Sequence, residues 1–338
     1  LIIQETFMKR LVLKTIAAAV AVAAFGLAHA QERTIKFATA NPKGHPIVMG
    51  MEKFAEIVQA KSAGKLKVGI FPASTLGTDA AVVSAMQGGT VEMASLNSGI
   101  LASQVKDFEV YDFPFMFGNA KEADAVVDGP FGKMMHAKLE AKGLVGLAYW
   151  ELGFRNITNS KRPITSVDDI AGLKLRVIPN AINVDWVKAL GANPTPLAFA
   201  EVYTALEQKA IDGQENPVTV IAANKFFEVQ KYMTLTNHQY NPQSVLMSKK
   251  FWDTLSATEK KIVSDAAVEA TAYQRAQTRD QASKAVDELK KAGMQVSELS
   301  AAELTKFREK MKPVVDKHGA ASAETVKELL AELAKARK

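Results

Sequence analysis

From Thr34 onward the chain alternates short strand-like runs with helix-like runs, and this rhythm restricts the fold more than any other feature. Thr34-Ile35-Lys36-Phe37-Ala38 alternates with a period of two. Pro42, Gly44 and Pro46 then break it. Residues 49–61 carry Met51, Phe54, Ala55 and Val58 at helical spacing. Residues 66–71 alternate again and stop at Pro72. A short helix is predicted over 79–87, stopped by Gly88-Gly89, and an apolar strand over 91–96. Strand–helix–strand–helix order predicts an α/β fold with a largely parallel sheet covered by helices.

The rhythm returns further on. Residues 122–142 predict one helix ended by Gly143, and 144–149 a buried strand. Residues 173–177 predict a strand stopped by Pro179, and 182–190 and 201–209 two helices. Ser256-x-x-Glu259 is a capping box that opens a very long helix, to about residue 291. Ser300-x-x-Glu303 opens another. There is no internal repeat, low-complexity tract or Gly/Ser linker. Two α/β units without a flexible linker predict lobes joined by crossing strands rather than independent beads. The expected division is 31–152 for one lobe, completed by about 242–281, and 153–241 for the other, completed by about 282–338.

The N-terminal segment reads as an address. Lys9 and Arg10 precede a run from Leu11 to Leu27 that is apolar apart from Lys14 and Thr15, and Ala28-His29-Ala30 has the small-x-small spacing of a signal-peptidase site. Its clean apolar core, about a dozen residues, is short of the ~20 that span a bilayer. A secretory signal cleaved after Ala30 is expected, with Met8 as the start and 1–7 as upstream sequence. The mature chain is then a soluble periplasmic protein. The absence of cysteine fits, because an exported chain this long buries a large core without disulfides.

The net charge is +6, and the first 30 residues hold Lys9, Arg10 and Lys14 against Glu5, which leaves +4 for the mature chain. Such a balance attracts small anions weakly. Lys and Arg are scattered among acids and no basic-aromatic module is present, so no nucleic-acid partner is expected. No His-Glu-x-x-His, Gly-x-Ser-x-Gly, Cys nucleophile or Walker motif occurs. The five histidines are far apart and suggest no metal cluster. No catalytic residue, metal or cofactor is predicted. Asp168-Asp169 is explained by a helix start.

Two arginines and one turn stand out instead. Arg176 lies near the C-terminal edge of its strand, where open α/β sheets bind ligands. A guanidinium there forks onto a carboxylate through charge-assisted bonds; an ordinary surface ion pair is the bland alternative. Arg155, in Gly153-Phe154-Arg155-Asn156, follows the strand predicted over 144–149 and carries the same two readings. Residues 210–217 predict a glycine turn between helices, with Asn216 as N-cap and Pro217 in the first helical position. Asn216 keeps spare donors and acceptors for a ligand.

Phe108-Glu109-Val110-Tyr111-Asp112-Phe113-Pro114-Phe115, Gly153-Phe154-Arg155 and Leu173-Lys174-Leu175-Arg176-Val177 resemble the extracytoplasmic solute receptors of TRAP transporters, the DctP family. The run from Pro194 to Glu207 and on through Gln214-Glu215-Asn216-Pro217 is the most specific signature, and the likeness continues through Phe226–Lys231 and Thr236-Asn237-His238. It covers the mature chain in order. The resemblance implies a two-lobed periplasmic-binding-protein fold with crossing hinge strands and one long helix spanning both lobes. It implies that Arg176 is the main salt bridge to a ligand carboxylate, with Arg155 as a second cleft arginine, Asn216 helping to fix the carboxylate and Phe199 packing on the ligand. Asp79 and Asn97 fall where some members place ligand contacts. Asn97 replaces an acidic residue of the sialic-acid binders. Asn180 lies one position later than the family's polar residue after the strand. Asn41 and His45 lie on a loop that borders the cleft in the family, and Glu151 precedes Gly153-Phe154-Arg155, where it could accept from ligand hydroxyls or form a rim salt bridge.

The implied partners are a small organic acid and the small and large transmembrane subunits of a TRAP permease, the receptor being a monomer. A uronate such as glucuronate or galacturonate is favoured over a C4-dicarboxylate such as malate, succinate or fumarate. Asp79 and Glu151 are poor neighbours for a second carboxylate and good acceptors for hydroxyls. Gly153-Phe154-Arg155-Asn156-Ile157-Thr158-Asn159 also looks closer to the sugar-acid binders. A periplasmic enzyme on the same fold and a sensor without transport are the rival classes.

Overall fold

A computed structural model describes residues 33–338. The signal sequence and the cleavage site after Ala30 lie outside the described residues. The elements run β1 (Arg33–Thr39), α1 (Pro46–Lys61), β2 (Leu66–Phe71), α2 (Asp79–Gly88), β3 (Met93–Asn97), α3 (Ala120–Asp128), α4 (Pro130–Ala137) and β4 (Leu144–Asn159). There follow β5 (Lys174–Val177), α5 (Ala181–Ala189), β6 (Asn193–Pro196), α6 (Val202–Glu207), β7 (Gly213–Pro217), α7 (Val218–Ala223) and β8 (Tyr232–Ser248). The chain ends with α8 (Lys249–Thr254), α9 (Ala257–Lys291), β9 (Gln295–Glu298), α10 (Ala301–Ala321) and α11 (Ala323–Ala336).

Among the described residues all nine strands belong to one sheet, ordered β2-β1-β3-β8-β4-β7-β5-β6, with β9 beside β8. The expected parallel pairing holds at both ends, in β1 with β2 and β3 and in β5 with β6 and β7. The centre differs: β8 runs antiparallel to β3 and to β4, and β4 antiparallel to β7. The sheet is therefore mixed. Two parallel halves are joined through β4 and β8, which are 16 and 17 residues long and pass from one half to the other.

The single helix expected over 122–142 is broken. Pro130 has no N–H for the turn before it, so α3 stops and α4 starts with Pro130 in its first turn. The strand expected to end at 149 continues to Asn159, which puts Arg155 inside a strand rather than beyond one. Residues 213–217 form β7 rather than a turn, and Pro217 precedes the next helix as its N-cap.

The long helix appears where its capping box places it. Ser256 Oγ accepts from Glu259 N, and the Glu259 carboxylate accepts from Ser256 N. At 35 residues, α9 is about 50 Å long. Its first half contributes Val263, Ala266, Ala267 and Ala270 to the core under α1 and β1, and its last turns give Ala285 and Leu289 to the core around α6 and α7. Between them polar residues grip β4. Thr271 accepts from the Trp150 indole at 3.1 Å. The Gln274 amide accepts from Glu151 N and donates to Glu151 O, both at 2.8 Å. Gly50 permits this approach, since a Cβ there would lie 2.7 Å from Gln274 Cγ.

Directly after this grip β4 slips register. Glu151 faces Pro242 and Gly153 faces Asn241, so Leu152 is an extra residue, a bulge that bends the strand. Gly153 has φ +116°, a conformation that side chains resist. Gly153→Ala is expected to cost about 1–3 kcal/mol in urea unfolding, from strain at this bend.

Candidate ligand cleft

The two halves of the sheet meet in a cleft of about 410 Å³ free space, its mouth included. Arg176, Arg155, Asn216, Asn97, Phe199, Asp79 and Asn41 of the sequence-predicted residues line it. They share the walls with Ala40, Ile100, Leu152, Ile178 and Val220, and with two polar residues that sequence reasoning missed, Ser95 and Gln243.

Arg176 lies on β5 and is 2 % exposed. Its Nε donates to Leu197 O at 2.9 Å, and its guanidinium carbon stands 5.8 Å from the centre of the Phe199 ring. Among the described residues no carboxylate comes within 4 Å of it, and its two Nη groups make no hydrogen bond. Burial, and then the nearby Arg155, push its pKa down to about 10. It remains a cation at neutral pH. A buried charge without a partner is costly, and an incoming anion would remove that cost.

Arg155 is built differently. It is 1 % exposed on β4, and its Nε and Nη2 form a two-pronged ion pair with Glu215 of β7. Nη1 donates to Asn241 Oδ1 at 2.6 Å. Burial works to raise the Glu215 pKa, but Arg155 outweighs it and holds the carboxyl at about 2. Burial lowers the pKa of His238, whose Nε2 stands 3.4 Å from Glu215 Oε2. The Arg155 charge is thus already matched, and one Nη1 hydrogen remains for the cleft.

Asn241 joins this pair to its surroundings. Its Oδ1 accepts from Arg155 and, at 2.7 Å, from Asn97 Nδ2; its Nδ2 donates to Asp112 Oδ1 at 3.0 Å. Asn97 also accepts from Gly99 N at 2.8 Å, so both ends of its amide are engaged. Asn216 donates to Gln214 Oε1 at 2.6 Å, and Asn41 to Thr39 Oγ1 at 3.2 Å; their side-chain oxygens accept no hydrogen bond among the described residues. Asp79 opens α2, and its carboxylate makes no hydrogen bond among the described residues. Burial raises its pKa to about 6, against the pull of Arg176.

Three expected contacts lie elsewhere. His45 caps α1 through Nδ1, which accepts from Ile47 N at 3.1 Å, and burial pushes its pKa to about 3. Glu151 pairs with Arg279 of α9 at 2.7 Å, the rim salt bridge of the two sequence readings. Asn180 caps α5, accepting from Asn183 N at 3.0 Å, and its amide donates to Asp112. These side chains are occupied in holding helices and do not line the cavity.

The sequence profile of the family described as bacterial extracellular solute-binding protein, family 7, matches residues 37–322. The chain belongs to this family of solute receptors. It is 38 % identical over 274 residues to the 2,3-diketo-L-gulonate-binding periplasmic protein YiaO of Escherichia coli K12, covering 81 % of this chain and 84 % of that one. A TRAP periplasmic solute-binding protein from Ochrobactrum anthropi, with its C-terminus bound in the ligand-binding pocket, is 55 % identical with TM-score 0.81, covering 91 % and 97 % of the two chains. The sugar acid binding protein DctPAm from Advenella mimigardefordensis, in complex with galactonate, is 43 % identical with TM-score 0.89, covering 90 % and 99 %. The receptor is of the TRAP type, a mixed α/β protein whose family is extracytoplasmic.

The raised pKa of Asp79 has a consequence for stability. The folded protein binds this proton more tightly than the unfolded chain, so ionisation at neutral pH opposes folding. Asp79→Asn is expected to raise the unfolding free energy at pH 7, and this gain should shrink on going from pH 6 to pH 4, as urea titrations at both pH values would measure.

Proposed function

We propose that this chain is the periplasmic receptor of a TRAP transporter for a sugar acid, and that Arg176 takes the ligand's carboxylate. The observation that carries the proposal is the buried Arg176 guanidinium, which lines the cleft with no carboxylate within 4 Å among the described residues. Arg155 and Asn216 flank it, and Phe199 forms the apolar wall. Binding would bring the two lobes together about the Leu152–Gly153 bend, expelling water and strengthening the polar contacts. The closed receptor would dock as a monomer on the small and large transmembrane subunits.

The cleft chemistry favours a single carboxylate. Of the two lining arginines, Arg155 is already neutralised by Glu215. The remaining polar lining is Asn41, Asp79, Ser95, Asn97, Asn216 and Gln243, which suits hydroxyls. A C4-dicarboxylate would bring a second anion toward Asp79. The uronates glucuronate and galacturonate are therefore the first candidates. An open-chain acid is the second, favoured by the galactonate bound to the Advenella protein.

A thermal-shift panel of uronic, aldonic, dicarboxylic and keto acids tests the reading. The expected result is a large shift with a sugar acid, little with succinate, and no turnover. In calorimetry with the best ligand, Arg176→Ala is expected to weaken binding at least about tenfold, the loss of a charge-assisted bond. Unchanged affinity in that variant would remove the assignment.

A further inference from the structure

The lining side chains come from five consecutive strands. Arg176 is on β5, Asn216 on β7, Arg155 on β4, Gln243 on β8 and Ser95 on β3. Arg176 and Gln243 stand three strands apart in the sheet and line the same cleft. A short acid chain held at Arg176 by its carboxylate would have its other end free for a group such as Gln243.

Gln243 is 3 % exposed. Its Oε1 accepts from Ser95 Oγ at 3.4 Å, while its Nε2 has no hydrogen-bond partner among the described residues. Its backbone is held in the ladder between Asn97 and Trp150. Nε2 does not belong to the fully buried unpartnered side-chain atoms among the described residues, so this donor is open to the cleft. Pro242, its neighbour, faces Glu151 at the start of the bend in β4, so the position of this amide is tied to the bend. Asp79, also unbonded, lines the same cavity as an acceptor. A hydroxyl accepts as well as donates, and Gln243 Nε2 offers it a donor.

We propose that Gln243, held by Ser95, is the specificity-determining residue of the cleft: its Nε2 donates to a hydroxyl at the end of the ligand away from the carboxylate. The proposal rests on the sugar-acid reading and deepens it. A site built to bond a hydroxyl discriminates strongly against acids that lack one there. Chain length and hydroxylation would then be read at Gln243, while Arg176 reads only the acid.

Titration calorimetry with six-carbon galactonate and four-carbon erythronate tests this on wild type, Q243L, the near-isosteric Q243E and S95A. The readout is the preference, the dissociation constant for erythronate divided by that for galactonate. Q243L and Q243E are each expected to lower the preference by about tenfold or more, because only the longer acid loses a bond. S95A is expected to lower it by about threefold, since the amide is no longer held. A preference unchanged in Q243L and Q243E, whether both affinities fall together or neither moves, overturns the proposal. If wild type binds neither acid nor galacturonate, the sugar-acid reading itself fails, and the subsite with it.

Discussion

The buried pair of Arg155 and Glu215 ties β4 to β7 at the centre of the cleft, and the rest of the site is arranged around it. Two charges that meet in the interior must satisfy one another and their remaining hydrogen-bonding groups. Here Asn241 and the Glu215 carbonyl take two of the other three Arg155 donors. The pair is spent on structure, and it leaves its neighbour Arg176 as the lining cation with no carboxylate within 4 Å among the described residues. Matched and unmatched guanidinium groups, side by side, give the cleft its polarity. Arg155 keeps Glu215 ionised, and burial disfavours protonation of His238 against the pull of Glu215.

That arrangement needs a continuous sheet. β4 carries the bulge and Arg155, and β8 carries Asn241 and Gln243 opposite it. The bend at Leu152–Gly153 follows at once on the residue whose N–H and C=O are held by Gln274 of α9. The helix fixes one side of the bend and leaves the other to the pairing of β4 with β7. Arg275 and Arg279 strengthen this side, pairing with Asp124, Asp128 and Glu151. The cleft-lining residues Arg155 and Gln243 and the bend thus share two strands, which gives the proposed closure a direct mechanical route to the cleft.

The order of the elements was legible because each announces itself locally. The Ser256 and Ser300 caps, the Gly89 stop of α2 and the apolar period of α1 depend only on neighbours in sequence, and the helices stand where these signals put them. The centre of the sheet was not legible in the same way. Gln214, Glu215 and Asn216 look like a polar turn, yet all three are buried on β7. Asn241 and Gln243 interrupt β8 with amides for the same reason. Strand patterns are read from apolar alternation, which fails where buried polar groups satisfy one another across strands far apart in sequence.

The site divides along the same line. The sequence by itself determined the α/β rhythm, the long helix, the family resemblance and the two arginines, because these rest on local periodicity and contiguous motifs. Only the tertiary structure decided which arginine is matched and which is open. It also decided that His45, Glu151 and Asn180 serve helices rather than the cavity, and that Ser95 and Gln243 face it. The physical reason is that charge pairing and exposure to a cavity belong to side chains brought together from distant positions. Arg155 and Glu215 are 60 residues apart and Ser95 and Gln243 are 148 apart, and no local pattern records either meeting.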